Sequence, residues 1–587
     1  MCAGLNILKI VSFQAQRRYF SQKTKGYLFS MNKAYLRQCD DGQHFEFTFE
    51  YKQEEPTVKR VFNFSRKLSE DVDTFLTRVS SSVEKVVSKK KKRKKSPEVP
   101  TESSPSIETL LVQDNIEIPR SNVCGDIFLP HTKLVLCINE KKYNIVVNSP
   151  WIESLELPDS IIADFPVYPI KLETQFTNKE LSEFLWYKST DKTNWTQVGN
   201  DYIYIPNNSD INHYLKLTCT PKNEDSDGPI VESVSSCQIQ AGPGECPFQR
   251  RHAFTKQRAT GKEFRVMTYN LLANLYCDSD YTREVLFPYC PPYALNINYR
   301  KQLFMKEIIG YNSDIICLQE VDKKVFTYDL EPTLSHYNYS GSLTLKGNEV
   351  AEGLAFFYNN QRFVHLDYEK FVFSERLDKE PVFADICNKI SENSKLLDRI
   401  KARSTTLQVN VLGSLEHDEI LLVANIHLYF HPDSDHIRLI HGCLAIKYLE
   451  NMAAKLRERY LGKRVSLIFC GDFNSVPSCG IYKLFTSGFV PGNFVDYSSN
   501  EEEKIENIDV HQSFKLGSAC GTPKYTNFTV LFADCLDYIY YDKSSLEVRQ
   551  VVPLPSDEEL MQNSAIPSVV FPSDHIALVS DLKWIEN

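Results

Sequence analysis

Between residues 264 and 584, short apolar runs alternate with amphipathic stretches, and run after run ends in an amide, a carboxylate or an imidazole. The clearest unit is an apolar run at 419–430, a helix-period stretch at 435–460 and a second apolar run at 465–470. Strands joined by crossover helices read this way, so the region is expected to fold as α/β. Arg265 opens a run that ends at Asn270, and Asp314 opens one that closes on Glu320. Asn425 and His427 stand two apart and therefore share a strand face, as do Asp472 and Asn474 after the next run. Asp537 opens the strand at 538–541, and Ser573-Asp574-His575 precedes the one at 576–579. Ligands of α/β proteins meet the chain just beyond strand ends. One Asn or Asp there is ordinarily a turn or a cap. A carboxylate after an apolar run, such as Glu320, costs several kcal/mol unless it meets a cation or donors.

The rest of the chain narrows the choice. Lys and Arg number 67 against 76 Asp and Glu, a net charge of −9, which excludes a protein that coats long nucleic acid through a wide basic face and leaves short or end-bound polyanions. No run reaches the roughly 18 apolar residues of a spanning helix, so no membrane insertion is expected. The 16 cysteines are scattered without a Cys-x-x-Cys pair, which indicates neither a zinc ribbon nor a disulfide scaffold. Residues 1–39 hold no Asp or Glu but carry Lys9, Arg17, Arg18, Lys23, Lys25, Lys33 and Arg37; this is the composition of a mitochondrial transit peptide and predicts a matrix protein.

Phe45, Phe47, Phe49 and Tyr51 alternate as a strand does, and Val72, Phe75, Leu76, Val79 and Val83 recur at helical spacing, giving a small α+β unit over 40–88. The basic run 89–95 and the polar sequence to 106 read as a solvated loop or linker, with a nuclear signal or an RNA-attracting arm as the sharper alternative. Residues 107–240 are β-rich and predict a sandwich. Trp186 and the strand ending at Cys219 are immunoglobulin-like, although Tyr214 does not stand where a tyrosine corner needs it. Ala241-Gly242-Pro243-Gly244 closes this region ahead of a catalytic domain at 250–587.

The strand-end motifs resemble the endonuclease/exonuclease/phosphatase superfamily, whose Asn-Leu-Leu, Leu-Gln-Glu, Gly-Asp-Phe-Asn and Ser-Asp-His signatures stand at Asn270, Glu320, Asp472 with Asn474, and Asp574 with His575. The segment from Tyr289 to Gln302 is similar to the deadenylase and nocturnin-like branch. The resemblance implies a four-layer α/β sandwich behind a β-rich N-terminal region, and a magnesium-dependent phosphodiesterase that removes AMP from 2′-5′ oligoadenylate and from poly(A) of mitochondrial RNA. No DNA partner is implied. Glu320, Asp472 and Asn474 are the implied ligands of one or two Mg2+ ions, with Asp472 alternatively the base for the attacking water. His575 and His427 would contact the phosphate, Asp574 would orient the histidine pair, Asn270 would position a phosphate or bound water, and Asp537 would hold a water, a histidine or a second metal. Phe532 is implied to stack on adenine, with ordinary core as its alternative, and Pro432 to line the base pocket; Asn425 is grouped with them as substrate-binding. Two other readings stand beside this one: a phosphatase of 2′-phosphorylated dinucleotide cofactors, and a non-catalytic RNA-binding adaptor on a dead nuclease fold.

Overall fold

The computed structural model describes residues 26–29, 32–94, 106–347 and 350–586. The C-terminal region is built on two six-stranded sheets. In the first, the order is Tyr339–Leu345, Glu352–Asn359, Ile315–Asp322, Glu263–Asn270, Leu578–Trp584 and Leu546–Val551; in the second it is Phe363–Val372, Thr406–Ser414, Glu419–His427, Arg464–Asp472, Asp537–Asp542 and Leu516–Ser518. Each sheet has a parallel pair at its centre, Glu263–Asn270 beside Ile315–Asp322 and Glu419–His427 beside Arg464–Asp472. A parallel pair needs a long crossover, and the helices Ile297–Gly310 and Asp435–Arg459 lie in these two connections.

The sheets face each other across Val266, Cys317, Leu421, Val423, Ile468 and Ile539. The alternate residues Ile420, Leu422, Ala424 and Ile426 point outward into a second core with Ile437, Leu444 and Leu449 of the helix Asp435–Arg459. Strands buried on both faces become near-continuous apolar runs, which is the texture seen in the sequence. Helices on the outer faces complete the four-layer α/β architecture.

The N-terminal region divides elsewhere than composition suggests. Strands on both sides of 89–106, from Lys33–Gln38 to Lys141–Val147, belong to one seven-stranded sheet covered by the helix Val72–Lys94. The linker assigned to 89–106 is therefore a connection within one unit, and its first residues continue the helix to Lys94. A separate sandwich occupies only Trp151–Gln238: four of its strands and Gly26–Leu28 form a five-stranded sheet, beside the pair Trp151–Glu156 and Lys171–Gln175. Its core, with Trp186, Leu215 and Leu217, merges with Tyr269, Phe304 and Ile316 of the catalytic region. Tyr168 donates to Asp329 Oδ1 at 3.1 Å across the same junction.

A leader extending to residue 39 is contradicted by these pairings. Lys33–Gln38 is an interior strand, paired with His44–Gln53 on one side and Lys141–Val147 on the other, and its Ala34, Tyr35 and Leu36 are fully buried. Gly26–Leu28 is paired with Ile230–Glu232 of the sandwich. Basic composition and the absence of acids do not distinguish a leader from a buried strand of the fold. Residues 1–25 lie outside the described residues.

Candidate active site

Register puts the site together. In the second sheet His427 is directly opposite Asp472, and Asp472 directly opposite Asp537, so three polar side chains from three strands form one row. The row ends the apolar part of the sheet because each strand turns there. Gly471 is what lets the strands close up: a Cβ at that position would stand 2.1 Å from the Ile426 carbonyl oxygen.

The first sheet supplies Asn270 and Glu320. Pairing with the neighbouring strand slips between Leu318 and Val321, and Glu320 has φ +54°, a left-handed conformation that is strained for a residue with a side chain. The bulge re-aims the Glu320 carboxylate towards the second sheet. Asn270 joins the two, donating from its amide nitrogen to Glu320 Oε1 at 3.0 Å and to Asp472 Oδ2 at 3.0 Å. Its carbonyl oxygen accepts from Leu272 N at 3.0 Å. Asn270 is thus a brace between two carboxylates, with both amide protons committed and none left to donate to a phosphate. Ala273 N donates to Glu320 Oε2 at 3.0 Å and Asn474 N to Asp472 Oδ1 at 2.9 Å.

The pKa values of the two histidines are pushed in opposite directions. His575 Nδ1 is 2.8 Å from Asp537 Oδ2 and its Nε2 is 3.6 Å from Asp472 Oδ2. Burial opposes its protonation, but Asp537, Asp472 and Asp574 outweigh that and raise its pKa well above the ordinary value. His427 is pushed well below the ordinary value by burial, by Lys346 and by His575, and is neutral. Lys346 Nζ, which can only donate, lies 3.4 Å from His427 Nδ1. The proton of His427 therefore sits on Nε2, 3.6 Å from Asp472 and 3.9 Å from Glu320. Burial, with Asp537, pushes the Asp472 carboxyl up to about 7. Burial raises Glu320 as well, with Lys346 opposing and Asp574 and Glu352 adding to the rise.

The sequence-predicted residues divide by this geometry. Asn270, Glu320, His427, Asp472, Asp537 and His575 converge. Asp574 borders them, but its carboxylate receives Asn527 Nδ2 at 3.3 Å and touches neither histidine; Asp537 orients His575 instead. Asn474 donates its amide to Leu428 O at 3.0 Å and braces the loop after His427. Asn425 is not at the substrate face. It shares the face of His427, as its spacing requires, but lies one pleat deeper, 1% exposed, and its amide is taken up by Leu318 O, Ala355 O, Gln408 and Gln319 between the sheets. Phe532 is 45% exposed, which excludes the core reading. It sits on a hairpin, Asn527–Phe528 against Ala533–Asp534, whose base pairs with His575. Pro432 is exposed on the loop after His427.

Several participants were missed. Lys346 pairs with the fully buried Glu352, which also accepts from Tyr276 Oη at 3.1 Å. Glu352 opens a strand, as Asp537 does, so the same strand-end signal was present there. Ser573 Oγ donates to Asn270 O at 2.7 Å and accepts from His575 N at 3.1 Å, coupling two motif loops. Arg300, fully buried, donates to Leu271 O, Leu272 O and Pro572 O and ties the same loops from beneath.

A family model described as the endonuclease/exonuclease/phosphatase family matches residues 267–575, a span that contains every residue of the site. The chain belongs to the endonuclease/exonuclease/phosphatase family. A second model, the N-terminal domain of 2′,5′-phosphodiesterase 12-like proteins, matches residues 149–240, the sandwich. The chain is 42% identical over 471 residues to bovine 2′,5′-phosphodiesterase 12, covering 77% of this chain and 76% of that protein. It is 28% identical to the carbon catabolite repressor protein 4 homolog 1 of Arabidopsis thaliana, over 66% of this chain and 70% of the relative. Among solved structures it is similar to ANGEL2, a 2′,3′-cyclic phosphatase, with 20% identity over 56% of this chain and 97% of that one and a TM-score of 0.45. Membership makes the protein a hydrolase of phosphate esters.

Enzymes of the family generally depend on a divalent metal, and the residues present fit one. Ligand atoms of Asp472, Asp537 and His575 lie within 4.8 Å of one another. Asp537 Oδ1 and Glu352 Oε2 are buried with no hydrogen-bond partner among the described residues. Glu320, Glu352, Asp472, Asp537 and Asp574 outnumber the cations Lys346 and His575, and buried negative charge in excess calls for a hard cation. His575 Nδ1 is taken up by Asp537, whereas Glu320 with the facing oxygen of Asp472 offers the carboxylate oxygens a hard cation prefers. No described helix is long and apolar enough to cross a membrane.

Proposed function

We propose that the protein is a Mg2+-dependent exoribonuclease of the mitochondrial matrix that releases 5′-AMP from 2′-5′ oligoadenylate and from 3′-5′ poly(A). The observation that carries the reading is the row His427–Asp472–Asp537 facing Glu320, with the Nε2 atoms of His427 and His575 each 3.6 Å from one carboxylate oxygen of Asp472. The kinship with proteins named 2′,5′-phosphodiesterase 12, across both the sandwich and the catalytic domain, supports the choice of linkage. Phe532 and Pro432, exposed beside the site, support a base as part of the substrate.

In this reading Glu320 and Asp472 would hold Mg2+, which would supply Lewis-acid stabilisation of charge on the phosphate. The chain's own residues do the rest. His427 donates from Nε2 to a non-bridging oxygen, and Lys346 keeps that tautomer. His575, charged and fixed by Asp537, opposes the phosphate as a preorganised cation. Where Asp472 is not itself a ligand of the ion, it would accept the proton of the attacking water. Asn270 holds Glu320 and Asp472 at a fixed separation. Import is supported by the acid-free, basic composition of 1–25, so the proposed leader ends before Gly26.

The test is product analysis with pure protein, Mg2+ and adenylate oligomers of both linkages, with a 2′-phosphorylated dinucleotide cofactor as a further substrate. Stepwise 5′-AMP release that stops in excess chelator and falls by two or more orders of magnitude in Glu320→Gln is expected. Internal cutting alone, full activity without metal, or preference for the cofactor would overturn the proposal.

A further inference from the structure

The strands Phe363–Val372 and Thr406–Ser414 are antiparallel neighbours. A short hairpin loop suffices to join such a pair, yet here residues 373–405 intervene and carry the helices Phe373–Arg376, Ala384–Ile390 and Ser394–Lys401. A connection of that length inside a compact domain is ordinarily functional. This one is firmly packed: Phe373, Leu377, Phe383, Ile390, Leu396 and Ile400 are buried in the outer core beside the helix Asp435–Arg459. Its last helix turns a guanidinium to the loop that follows His427.

Arg399 Nη2 donates to Asp433 Oδ1 at 2.7 Å and to Ser434 Oγ at 2.6 Å, and Nη1 donates to Glu503 Oε2 at 2.7 Å. That oxygen of Glu503 lies 2.8 Å from Nε2 of His436, a fully buried imidazole. Asn500 Nδ2 donates to Asp433 Oδ2 at 3.2 Å. One guanidinium therefore joins the helix Ser394–Lys401, the loop 429–434 and the segment 499–503. Arg403 adds a second contact, 4.5 Å from the Tyr429 ring. At its other end the loop is tied to the site: Leu428 N donates to Asp472 O at 3.0 Å, and Asn474 donates to Leu428 O at 3.0 Å. Pro432 stands between these two anchors, with His431 and Asp433, which meet each other, on either side of it. A proline has no N–H with which to fix itself, so its place is set by its neighbours. The row His427–Asp472–Asp537 is already aligned by strand register. Arg399 thus acts on the loop and not on the row.

We propose that Arg399 is a positioning residue for base recognition: from the 373–405 connection it holds Asp433 and Ser434, and so places Pro432 in the pocket of the adenine that Phe532 stacks. The inference rests on the oligoadenylate reading above and deepens it, because it assigns the connection to the binding of the base and leaves the cleavage of the phosphodiester to the row.

The experiment compares a substrate that has a base with one that has none. Full-length wild type, Arg399→Ala, Arg399→Lys and Lys395→Ala are assayed with Mg2+ on a 2′-5′ adenylate trimer and on bis(nitrophenyl) phosphate. Arg399→Ala should raise KM on the trimer by about 5- to 150-fold, the range of one lost base contact, with kcat unchanged. Its kcat/KM on bis(nitrophenyl) phosphate should equal that of wild type. Arg399→Lys keeps the charge without the fork and should recover part of the loss. Lys395, on the same helix, meets Glu502 at 2.8 Å in an exposed pair, so Lys395→Ala should match wild type. Asp433→Asn weakens the same contact from the loop and should move KM in the same direction, which keeps the test decisive if Arg399→Ala does not fold. In a Phe532→Ala background the effect of Arg399→Ala should shrink, because both residues serve one base. Equal losses on both substrates, an unchanged KM on the trimer, or an undiminished effect in the Phe532→Ala background overturn the role of Arg399. Failure of the wild type to cleave the trimer overturns the oligoadenylate reading itself, and this inference with it.

Discussion

Asn270→Ala tests whether the two sheets are braced for catalysis. The amide nitrogen makes hydrogen bonds of 3.0 Å each to Glu320 Oε1 and Asp472 Oδ2. A bond to a charged partner is worth about 1.5–3 kcal/mol net, so the pair carries about 3–6 kcal/mol. Glu320 keeps the Ala273 N–H and Asp472 keeps the Asn474 N–H, so neither carboxylate is left bare and the lower end of the range applies. If about 3 kcal/mol is expressed in the transition state, turnover falls by about 150-fold. Initial rates of AMP release, with a thermal melt beside them, read this directly. Asn270→Asp preserves shape but replaces the shared donor by a third carboxylate, and should be slower still. Rates within fivefold of wild type for both variants, with intact folds, would show that the carboxylates hold their separation without Asn270 and that the brace is ornamental.

Phe532→Ala should cost about 1–3 kcal/mol in catalytic efficiency on adenylate oligomers and less on a nitrophenyl diester; because Phe532 is exposed, the melting temperature should not move. The buried Asp496 carboxyl is pushed by burial from 3.8 to about 6, so the folded chain holds this proton more tightly than the unfolded one; the stability it contributes is greatest below 3.8 and is lost as pH rises through 6. Asp496→Asn keeps an acceptor for Gly480 N–H and should stabilise the protein at pH 7.5, by up to about 3 kcal/mol, with no gain at pH 3.5, as denaturant titrations at both values would show. Removing residues 2–24 should block import and leave activity, whereas removing 2–39 deletes an interior strand and should give insoluble or unfolded protein; a soluble, active 40–587 chain would contradict the observed pairing.

Local chemistry carried much of the way. Apolar runs buried on both faces, and polar groups left where those runs stop, are properties of short segments, and they were enough to place Asn270, Glu320, His427, Asp472, Asp537 and His575 at strand ends. Alternation also put Asn425 and His427 on one face, correctly. It could not tell that Asn425 lies one pleat inside the sheet stack and His427 at its rim, because a period of two encodes the face of a residue and not its depth. Asp537 holds a histidine, one of the roles expected of it, whereas Asp574 meets Asn527 and not the histidines for a related reason: which carboxylate reaches His575 depends on a hairpin pairing with a strand far away in sequence.

The same limit explains the N-terminal errors. Residues 33–38 were read as leader because charge and composition are sums over a segment, while their burial comes from pairing in parallel with 141–147, about which the segment itself says nothing. Lys346 and Glu352 stand at strand ends too and were passed over because a Lys and a Glu at a turn read as solvated charges; they matter because two facing sheets bring a cation, a buried carboxylate and His427 into one small volume of low dielectric. The sequence by itself determined which segments become strands and which residues stand at their ends. The tertiary structure alone decided which of those ends meet, and with that the protonation of the histidines on which the chemistry depends.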